Sequence, residues 1–296
     1  MDPRKGSAVM AVLDTGSFEG AAGLLRVTTS AVSQRVSALE SELGMPLILR
    51  GKPCRPTPAG QHLVQYLRRA RLLEAEFEAE LGDRAQPLSV TLAVNNDTLA
   101  TWLLPGLASF LIEEHVLLDL TVDDQDHTFT LLAQGRALAG VSSEPAPMRG
   151  CTVQALGAMR YRLLASPGFG ARWFPDGLRR DAARRAPLLV FDRKDALQSI
   201  FLQRELGLPD GSYPCHYVPA SEAFLQAIRL GLGYGMVPEL LYGDAVARGD
   251  LLDLAPDRPT DVALYWHAWR VQSPKMERLS ERAIAAARHV LTSPLG

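Results

Sequence analysis

The stretch from residue 17 to residue 43 constrains the fold most, because it predicts two short helices separated by a polar turn. Ser17 is a good helix N-cap, and Glu19 in the first turn suits the positive end of the helix dipole. Ala21 and Ala22 are small enough to let a second helix approach closely. In that second helix apolar residues recur at i, i+4, i+7 and i+11, and they predict one buried stripe of Val32, Val36, Leu39 and Leu43.

The other face of the second helix carries short hydrogen-bonding side chains and one cation. Such side chains bind base edges and phosphates when a helix lies in the major groove of DNA. The turn falls at residues 26–29, where Thr28 or Thr29 caps the second helix. The pattern predicts a DNA-binding helix-turn-helix, although any amphipathic helical hairpin shows a similar stripe. The candidate DNA contacts on this segment are Thr28, Thr29, Ser30, Ser33, Gln34 and Arg35.

The residues after this pair predict a wing. Gly44 ends the second helix, residues 45–50 suit a short strand, and residues 51–53 turn the chain. Thr57 and Pro58 then open another helix as its N-cap and first residue. Cations in a turn are usually solvated, but a wing beside a recognition helix places them against the phosphate backbone. The candidate phosphate contacts are Arg50, Lys52 and Arg55.

Residues 58–81 predict a long helix, roughly 36 Å at 1.5 Å per residue. One isolated helix cannot hide an apolar stripe of this length, so the stripe needs a partner. That partner is either the chain's own first domain or a second copy of the chain, and the length favours the second copy. Residues 82–87 follow as a hinge. The stripe consists of Leu63, Leu67, Ala70, Leu73, Phe77 and Leu81.

From residue 88 onward short strands alternate with helices, which predicts parallel sheets with crossover helices in two α/β lobes. A chain of 296 residues is long enough for a small DNA-binding domain and one or two such domains. The predicted strands are 88–94, 117–122, 137–142, 161–165, 188–191, 216–218, 234–237 and 262–266. The predicted helices are 98–111, 197–206, 221–230 and 276–291, with a helical turn at 129–134.

Polar residues follow the predicted strands, where ligands of α/β sheets bind beside helix N-termini. Helix N–H groups and several carboxylates suit a zwitterionic amino acid with a cationic side chain. Each single residue could instead be an ordinary helix cap or a solvated loop residue. We expect Asp97 and Thr98 at the carboxylate end of the guest, and Asp124 and Glu222 at its amines. The whole predicted set is Asn96, Asp97, Thr98, Asp123, Asp124, Ser142, Ser143, Asp192, Ser221 and Glu222.

Composition excludes several other classes of protein. The net charge of −2 gives no overall attraction to nucleic acid, so attraction must be local, where residues 26–55 hold five cations against two acids. The three cysteines lie far apart without a CxxC pair, which predicts reduced thiols in a cytoplasm and no metal site. The start lacks a signal-peptide layout, and no 18-residue apolar run occurs, so no membrane partner is expected.

The sequence contains no constellation that predicts catalysis. No GxxxxGK[ST], HExxH or GxSxG motif occurs, and the six histidines are scattered. The glycines at residues 231–235 lie between a helix and the following strand, whereas a dinucleotide loop needs the reverse order. We therefore expect neither an enzyme nor a cofactor.

Several short motifs resemble the N-terminal domain of the LysR-type transcriptional regulators: Ser17-Phe18, Ala21-Ala22, residues 30–33, Leu39-Glu40, Leu43-Gly44, Pro46-Leu47 and residues 57–60. Further runs resemble the ArgP/LysG subgroup, which senses basic amino acids: residues 92–105, 173–175, 214–216, 221–224 and 264–267. The resemblance covers essentially the whole chain, and the 92–105 run is its most specific part.

This resemblance implies an α/β protein with an N-terminal all-α winged helix-turn-helix and a C-terminal two-lobe effector domain like the periplasmic binding proteins. The chain would cross between lobes near residues 159–162 and return near 264–269, so the final helix would pack on the first lobe. The implied domains are residues 1–60 for DNA binding, a linker (dimerisation) helix at 58–82 and an effector domain at 88–296. Lobe I would span about 88–160 and 266–296, and lobe II about 161–265.

The resemblance also implies the partners: double-stranded promoter DNA, RNA polymerase, L-lysine or L-arginine as effector, and a second copy in a homodimer, with a tetramer left open. Its implied role is activation of a basic amino acid exporter gene. Two alternatives stay open at this point. One is a LysR-type regulator of another pathway with a different effector. The other is a ligand-binding or enzymatic α/β protein whose N-terminal helices form only a dimerisation arm.

Two departures from the family pattern lie in the DNA-binding part. Residues 1–7 are polar and are interrupted by Gly6, which predicts a short first helix. Its buried residues would be Val9, Met10, Val12 and Leu13 only. Thr29 stands where relatives often have Gln or Pro, so we expect different target bases.

Overall fold

A computed structural model describes residues 2–81, 88–122, 131–132, 136–147 and 150–293. The predicted hinge at 82–87 and most of the predicted helical turn at 129–134 lie outside these residues. The N-terminal part consists of helices and one small hairpin. Its elements are α1 (Pro3–Thr15), α2 (Phe18–Leu25), α3 (Thr29–Leu43), β1 (Ile48–Leu49), β2 (Arg55–Pro56) and α4 (Pro58–Leu81).

The first helix has 13 residues, so the prediction of a short one is wrong. Asp2 caps it by accepting the backbone N–H of Arg4 at 2.8 Å. Gly6 lies inside the helix on the side that faces α4, where a Cβ would come within 3.0 Å of a Leu67 methyl group. The glycine that weakens the helix locally thus allows α4 to pack closely against it. Only tertiary contact shows this compensation.

The helix-turn-helix forms as predicted. Ser17 accepts the N–H of Gly20 at 2.9 Å, and Thr28 accepts the N–H of Ala31 at 3.2 Å, so Thr28 rather than Thr29 caps α3. The turn between the helices places Arg26 in the left-handed region, at φ 54°.

The predicted stripe of α3 is confirmed for its first three residues. Val32, Val36 and Leu39 are buried in the core that α1 and α2 complete. Leu43 is 43% exposed, so the prediction is wrong at this residue. Gly44 terminates α3 with φ 69°, as predicted.

The wing is also confirmed, and two side chains fasten it. Thr57 caps α4 through the N–H of Gly60 at 3.0 Å and donates to the Pro46 carbonyl at 2.7 Å. The Glu40 carboxylate accepts the N–H groups of Leu47 at 2.8 Å and Ile48 at 3.2 Å. This second fastening ties the end of α3 to the wing.

The second part of the chain contains one large sheet and a smaller one. Its first elements are β3 (Leu88–Val94), α5 (Asn96–Thr98), a π-helical turn (Leu99–Leu103), α6 (Leu104–Glu113), β4 (Val116–Val122), β5 (Ala139–Ser142) and β6 (Cys151–Ala165). Next come α7 (Pro167–Trp173), α8 (Arg180–Ala183), β7 (Leu188–Val190), α9 (Leu197–Leu206), β8 (Cys215–Tyr217), α10 (Ser221–Arg229) and β9 (Gly235–Pro238). The last are α11 (Glu239–Tyr242), β10 (Leu252–Asp253), β11 (Thr260–Trp269) and α12 (Pro274–Val290).

The sheet order in the described residues is β10-β6-β11-β5-β3-β4, with β9 also on β6. Strands β3, β4 and β5 are parallel, and so are β7 and β8, as predicted. Strands β6 and β11, however, run antiparallel to each other and are much longer than the predicted segments at 161–165 and 262–266. These two strands join the lobes.

A bend in this strand pair lies where it passes from one lobe to the other. The register between the strands shifts between Leu264 and Tyr265. Opposite this shift, Gly157 has φ 134°, and a Cβ there would lie 2.8 Å from the Thr292 carbonyl oxygen. Glycine is therefore required at the bend.

The last helix packs on the first lobe, as the resemblance implied. Helices α6 and α12 approach so closely that a Cβ on Gly106 would lie 2.4 Å from that of Ala286. Within the described part of the chain, no helix is both long and apolar enough to span a membrane.

Candidate functional site

The candidate DNA-binding face of α3 points outward. The hydroxyl of Thr28 is engaged in the cap and lies 3.0 Å from that of Ser30. The remaining candidates leave a polar surface along the helix. Thr29, Ser30 and Gln34 are exposed, and Ser33 and Arg35 are half-buried.

The wing places Arg50 beside this face, while Lys52 and Arg55 are exposed at the turn. The Arg50 guanidinium lies 5.2 Å over the Phe18 ring, and its Nη2 is 3.5 Å from the Ser37 hydroxyl. This arrangement holds one cation over both helices, in position to contact a phosphate next to the groove that α3 would enter.

The two acids of residues 26–55 are engaged away from that surface. Glu40 accepts two backbone N–H groups of the wing, and Glu42 pairs with Lys5 of α1. The five cations of the same segment therefore dominate the local field. A positive local field on a chain of net charge −2 fits a nucleic-acid interface.

Two of the predicted ligand residues, Asp97 and Ser221, are in direct contact. Asp97, which lies at the start of lobe I's first helix, accepts the hydroxyl of Tyr161 at 2.6 Å and that of Ser221 at 2.6 Å. Tyr161 is buried in β6, and Ser221 is the first residue of α10 in lobe II. A single side chain thus joins the two lobes through short, charge-assisted hydrogen bonds.

A second carboxylate, Asp195, lies near enough to help raise the pKa of Tyr161. Its oxygens accept the N–H groups of Leu197 at 2.9 Å and Phe191 at 3.3 Å and the amide of Gln198 at 2.7 Å. We call Asp97, Tyr161, Ser221 and Asp195 the Asp97 cluster.

Burial dominates the electrostatics of the Asp97 cluster. It raises the pKa of Asp97, and the hydrogen bonds from Ser221 and Tyr161 only partly oppose it. Burial also raises the pKa of Asp195, with Asp97 and Asp192 adding to the effect. The pKa of Tyr161 is raised well above its usual value by burial and by Asp97. Among the described residues, no cation counters these shifts.

Three buried polar atoms next to the cluster have no hydrogen-bond partner in the described residues: Asn95 Nδ2, Thr98 Oγ1 and Gln198 Oε1. Asn95 caps α5 through its other amide atom, which accepts the N–H of Thr98 at 2.7 Å. Buried polar groups are almost always paired, so these atoms mark hydrogen-bonding capacity beside Asp97.

The other predicted ligand residues are placed as follows. Ser142 is buried and accepts the N–H of Glu144 at 3.0 Å, while Ser143 and Asn96 are half-buried. Asp192 accepts the N–H groups of Lys194 at 2.7 Å and of Asp195 at 3.1 Å, which makes it a turn residue. Glu222 is exposed. Asp123 and Asp124 lie outside the described residues.

Sequence reasoning assigned no ligand role to Tyr161 or Asp195. Tyr161 lies 64 residues from Asp97 in sequence, and nothing in its own strand pattern predicts that contact. Asp195 lies two residues before α9, and an aspartate near a helix start often accepts one of its first N–H groups, which is a usable signal.

A separate open cavity of about 660 Å³ lies in lobe II. Its wall is mostly apolar and includes Phe174, Leu251 and Leu252. None of the predicted ligand residues lines it.

Comparison with known proteins identifies the family. Residues 5–61 match the model of the bacterial regulatory helix-turn-helix protein, lysR family, and residues 85–288 match the LysR substrate binding domain. The chain belongs to the LysR family. It is a DNA-binding transcriptional regulator. The alternative of an unrelated α/β protein whose N-terminal helices form only a dimerisation arm is thereby disfavoured.

The relatives of this LysR regulator carry consistent names. It is 42% identical to the HTH-type transcriptional regulator ArgP of Aeromonas salmonicida, over 96% of each chain. The crystal structure of ArgP from Mycobacterium tuberculosis is 40% identical, with a TM-score of 0.86 over all of both chains. Full-length LysG from Corynebacterium glutamicum with bound effector Arg is 36% identical, with a TM-score of 0.81 over 99% of this chain and 100% of that one.

Proposed function

We propose that this LysR regulator binds L-arginine or L-lysine at the Asp97 cluster and thereby controls a promoter. The observation that carries this proposal is electrostatic. Two carboxylates with pKa values raised by burial lie near each other, and no cation among the described residues compensates them. A cationic guest would supply the missing charge.

The elements around Asp97 suit both ends of such a guest. The carboxylate of Asp97 would repel the α-carboxylate of the guest, so Asp97, predicted at that end, would instead join Asp195 in taking the positive groups. The free amide atom of Asn95 and the hydroxyl of Thr98 offer hydrogen bonds to its α-carboxylate, beside the start of α5. The related LysG has arginine bound as its effector, which supports the same class of ligand for this chain.

The guest would also alter the contact between the lobes. Ser221 of lobe II now donates to Asp97 of lobe I. A cation bound to Asp97 would compete with Ser221 for that oxygen. Binding would therefore replace the direct hydrogen bond between the lobes by a contact that runs through the guest. Occupancy and lobe position are thereby linked.

We propose that α3 and the wing read the promoter. Ser33 and Gln34 would contact base edges, while Arg50, Lys52 and Arg55 would contact phosphates. The half-buried Arg35 and the exposed start of α3 would complete this surface.

We propose that α4 pairs two copies in a homodimer, with residues 1–60 and 88–296 as the flanking domains. Leu73 and Phe77 of α4 are exposed apolar residues, 47% and 61% respectively, and a partner helix would cover them. The regulated target would be a basic amino acid exporter gene, which the protein would activate together with RNA polymerase.

Calorimetric titration of the full-length protein tests the ligand. We expect binding of L-arginine and L-lysine, and loss of at least about 30-fold in affinity for citrulline, the neutral analogue of arginine. Equal affinity for citrulline and arginine would show that charge does not determine recognition. Binding of an unrelated small molecule alone would favour a LysR regulator of another pathway.

Gel shifts with the DNA upstream of the neighbouring gene test the regulatory part. We expect the protein to bind this DNA and the complex to change mobility or affinity when L-lysine or L-arginine is added. A reporter fused to an exporter promoter then measures activation directly. An unresponsive reporter would refute the proposed target gene and leave the proposed ligand unaffected.

A further inference from the structure

Three arginines within one turn of α4 hold different parts of the protein. Arg68 pairs with Asp14 of α1, and Arg71 donates to the Ser7 hydroxyl of α1 at 2.8 Å. Residues three apart share one helix face, so both fasten α4 to the DNA-binding domain. Arg69 points elsewhere: its guanidinium carbon lies 4.7 Å from the centre of the Trp269 ring in the effector domain.

The Trp269 ring is held firmly. It is 6% exposed and belongs to the last residue of β11, opposite Cys151 at the start of β6. Gly150 has φ 85°, and a Cβ on it would lie 3.2 Å from ring atom Cζ3. The backbone therefore closes over one side of the ring.

Among the described contacts of Arg69 with the effector domain, the stack on Trp269 has a defined geometry. Burial raises the pKa of the neighbouring Cys151 to about 11, with Arg69 opposing, so this thiol is neutral at physiological pH and forms no ion pair. Arg69 Nε also donates to the Gln65 carbonyl at 3.2 Å, which keeps the guanidinium aligned along α4.

The strand pair β6 and β11 runs between this stack and the Asp97 cluster. Strands β6 and β11 are paired continuously from Cys151–Trp269 to Tyr161–Thr260, apart from one register shift. At about 3.3 Å per residue, this ribbon spans roughly 30 Å. Tyr161, at its far end, donates to Asp97. A hydrogen-bonded strand pair thus joins the ligand residues to the linker helix.

We propose that the Arg69–Trp269 stack is the contact through which the effector domain sets the orientation of α4 and, with it, of the DNA-binding domain. Arg69 is a positioning residue, since it acts on DNA through α4. The identity of the effector in this inference rests on the proposed function, whereas the contact itself does not.

The variant Arg69→Gln removes the stack and keeps a polar, half-exposed helix residue. The matched control is Arg172→Gln, which removes a guanidinium stacked at 5.3 Å on Trp173 within lobe II. The first measurement needs no effector. It is the distribution of distances between two spin labels, measured by double electron–electron resonance. The labels are introduced as unnatural amino acids at Leu24 and Ala108, which are both exposed. Labelled subunits are diluted with unlabelled protein so that only distances within one subunit are measured.

We expect one narrow distribution for the wild type and for Arg172→Gln, and a broader or shifted one for Arg69→Gln. An Arg69→Gln distribution identical to that of the wild type would overturn the inference. This result is independent of whether arginine or lysine binds.

The second measurement is the ratio of DNA affinities with and without saturating arginine, by fluorescence anisotropy. We expect Arg69→Gln to bring this ratio about 3- to 10-fold closer to one, while the arginine affinity of the DNA-free protein, measured by calorimetry, stays unchanged. Trp269→Phe should give a smaller loss, and the double variant no more than Arg69→Gln alone. An unchanged ratio in Arg69→Gln would refute the coupling, whereas failure of the wild type to bind arginine or lysine would refute the proposed function only.

Discussion

Replacing Asp97 by asparagine preserves the shape of the side chain and removes its charge. The carboxylate accepts two hydroxyls at 2.6 Å and would receive the cation of the effector. Two unit charges 4 Å apart attract by about 4 kcal/mol at an effective dielectric constant of about 20. After desolvation, losing one partner of a buried charge pair costs about 2–5 kcal/mol. We therefore expect Asp97→Asn to bind arginine at least about 30-fold more weakly.

The unliganded protein should respond in the opposite direction. Burial raises the pKa of Asp97 above its ordinary 3.8, so the folded state binds this proton more tightly than the unfolded chain. The resulting stability is present below pH 3.8 and is lost as the pH rises through the folded-state pKa. Asparagine never ionises. The melting temperature of unliganded Asp97→Asn at neutral pH should therefore equal or exceed that of the wild type.

Arginine binding by the wild type should weaken as the pH falls through the raised pKa of Asp97, because the proton and the cation compete for one carboxylate. Calorimetry across this range and differential scanning at neutral pH measure both effects. The control is Asp181→Asn, which changes an exposed aspartate in the first turn of α8. Arginine binding by Asp97→Asn as tight as that of the wild type would refute the role of this charge, and an unfolded unliganded variant would refute the expected melting temperature.

Four further substitutions test other parts of the structure. Gly60→Ala would place a Cβ 1.9 Å from the Leu47 carbonyl oxygen, so we expect a loss of about 2 kcal/mol or more in unfolding free energy by denaturant titration. Arg50→Ala should weaken binding to all DNA sequences alike and lower the salt slope by about one, whereas Gln34→Ala should mainly relax sequence preference. A uniform loss for both variants would contradict these roles. Phe77→Asp, at a side chain 61% exposed, should convert dimers to monomers in sedimentation velocity, and an unchanged dimer would place the interface elsewhere.

The sequence predicts local structure well where local chemistry decides it. Ser17 and Thr28 cap the two helices, and Gly44 ends the second. These features depend on neighbours within a few residues, so composition and spacing are sufficient to find them. The parallel strands and crossover helices follow from the same kind of short pattern. The failures at Gly6 and Leu43 have one cause: whether an apolar or small residue is covered depends on elements that are distant in sequence.

The candidate site also has features that local sequence predicts and features that depend on residues distant in sequence. Strand and helix ends predict Asp97 and Ser221 as ligand residues, but their pairing with each other and with Tyr161 depends on the crossing strand, which brings them together. The length of β6 and β11 was not predictable from hydrophobic periodicity, because long-range strand pairing stabilises segments that carry no clear alternation of their own. The local sequence thus determines which chemical groups stand at the ends of elements. Only tertiary packing decides which of those groups share a buried, low-dielectric environment, and that environment raises the pKa values of the two carboxylates proposed to bind the effector.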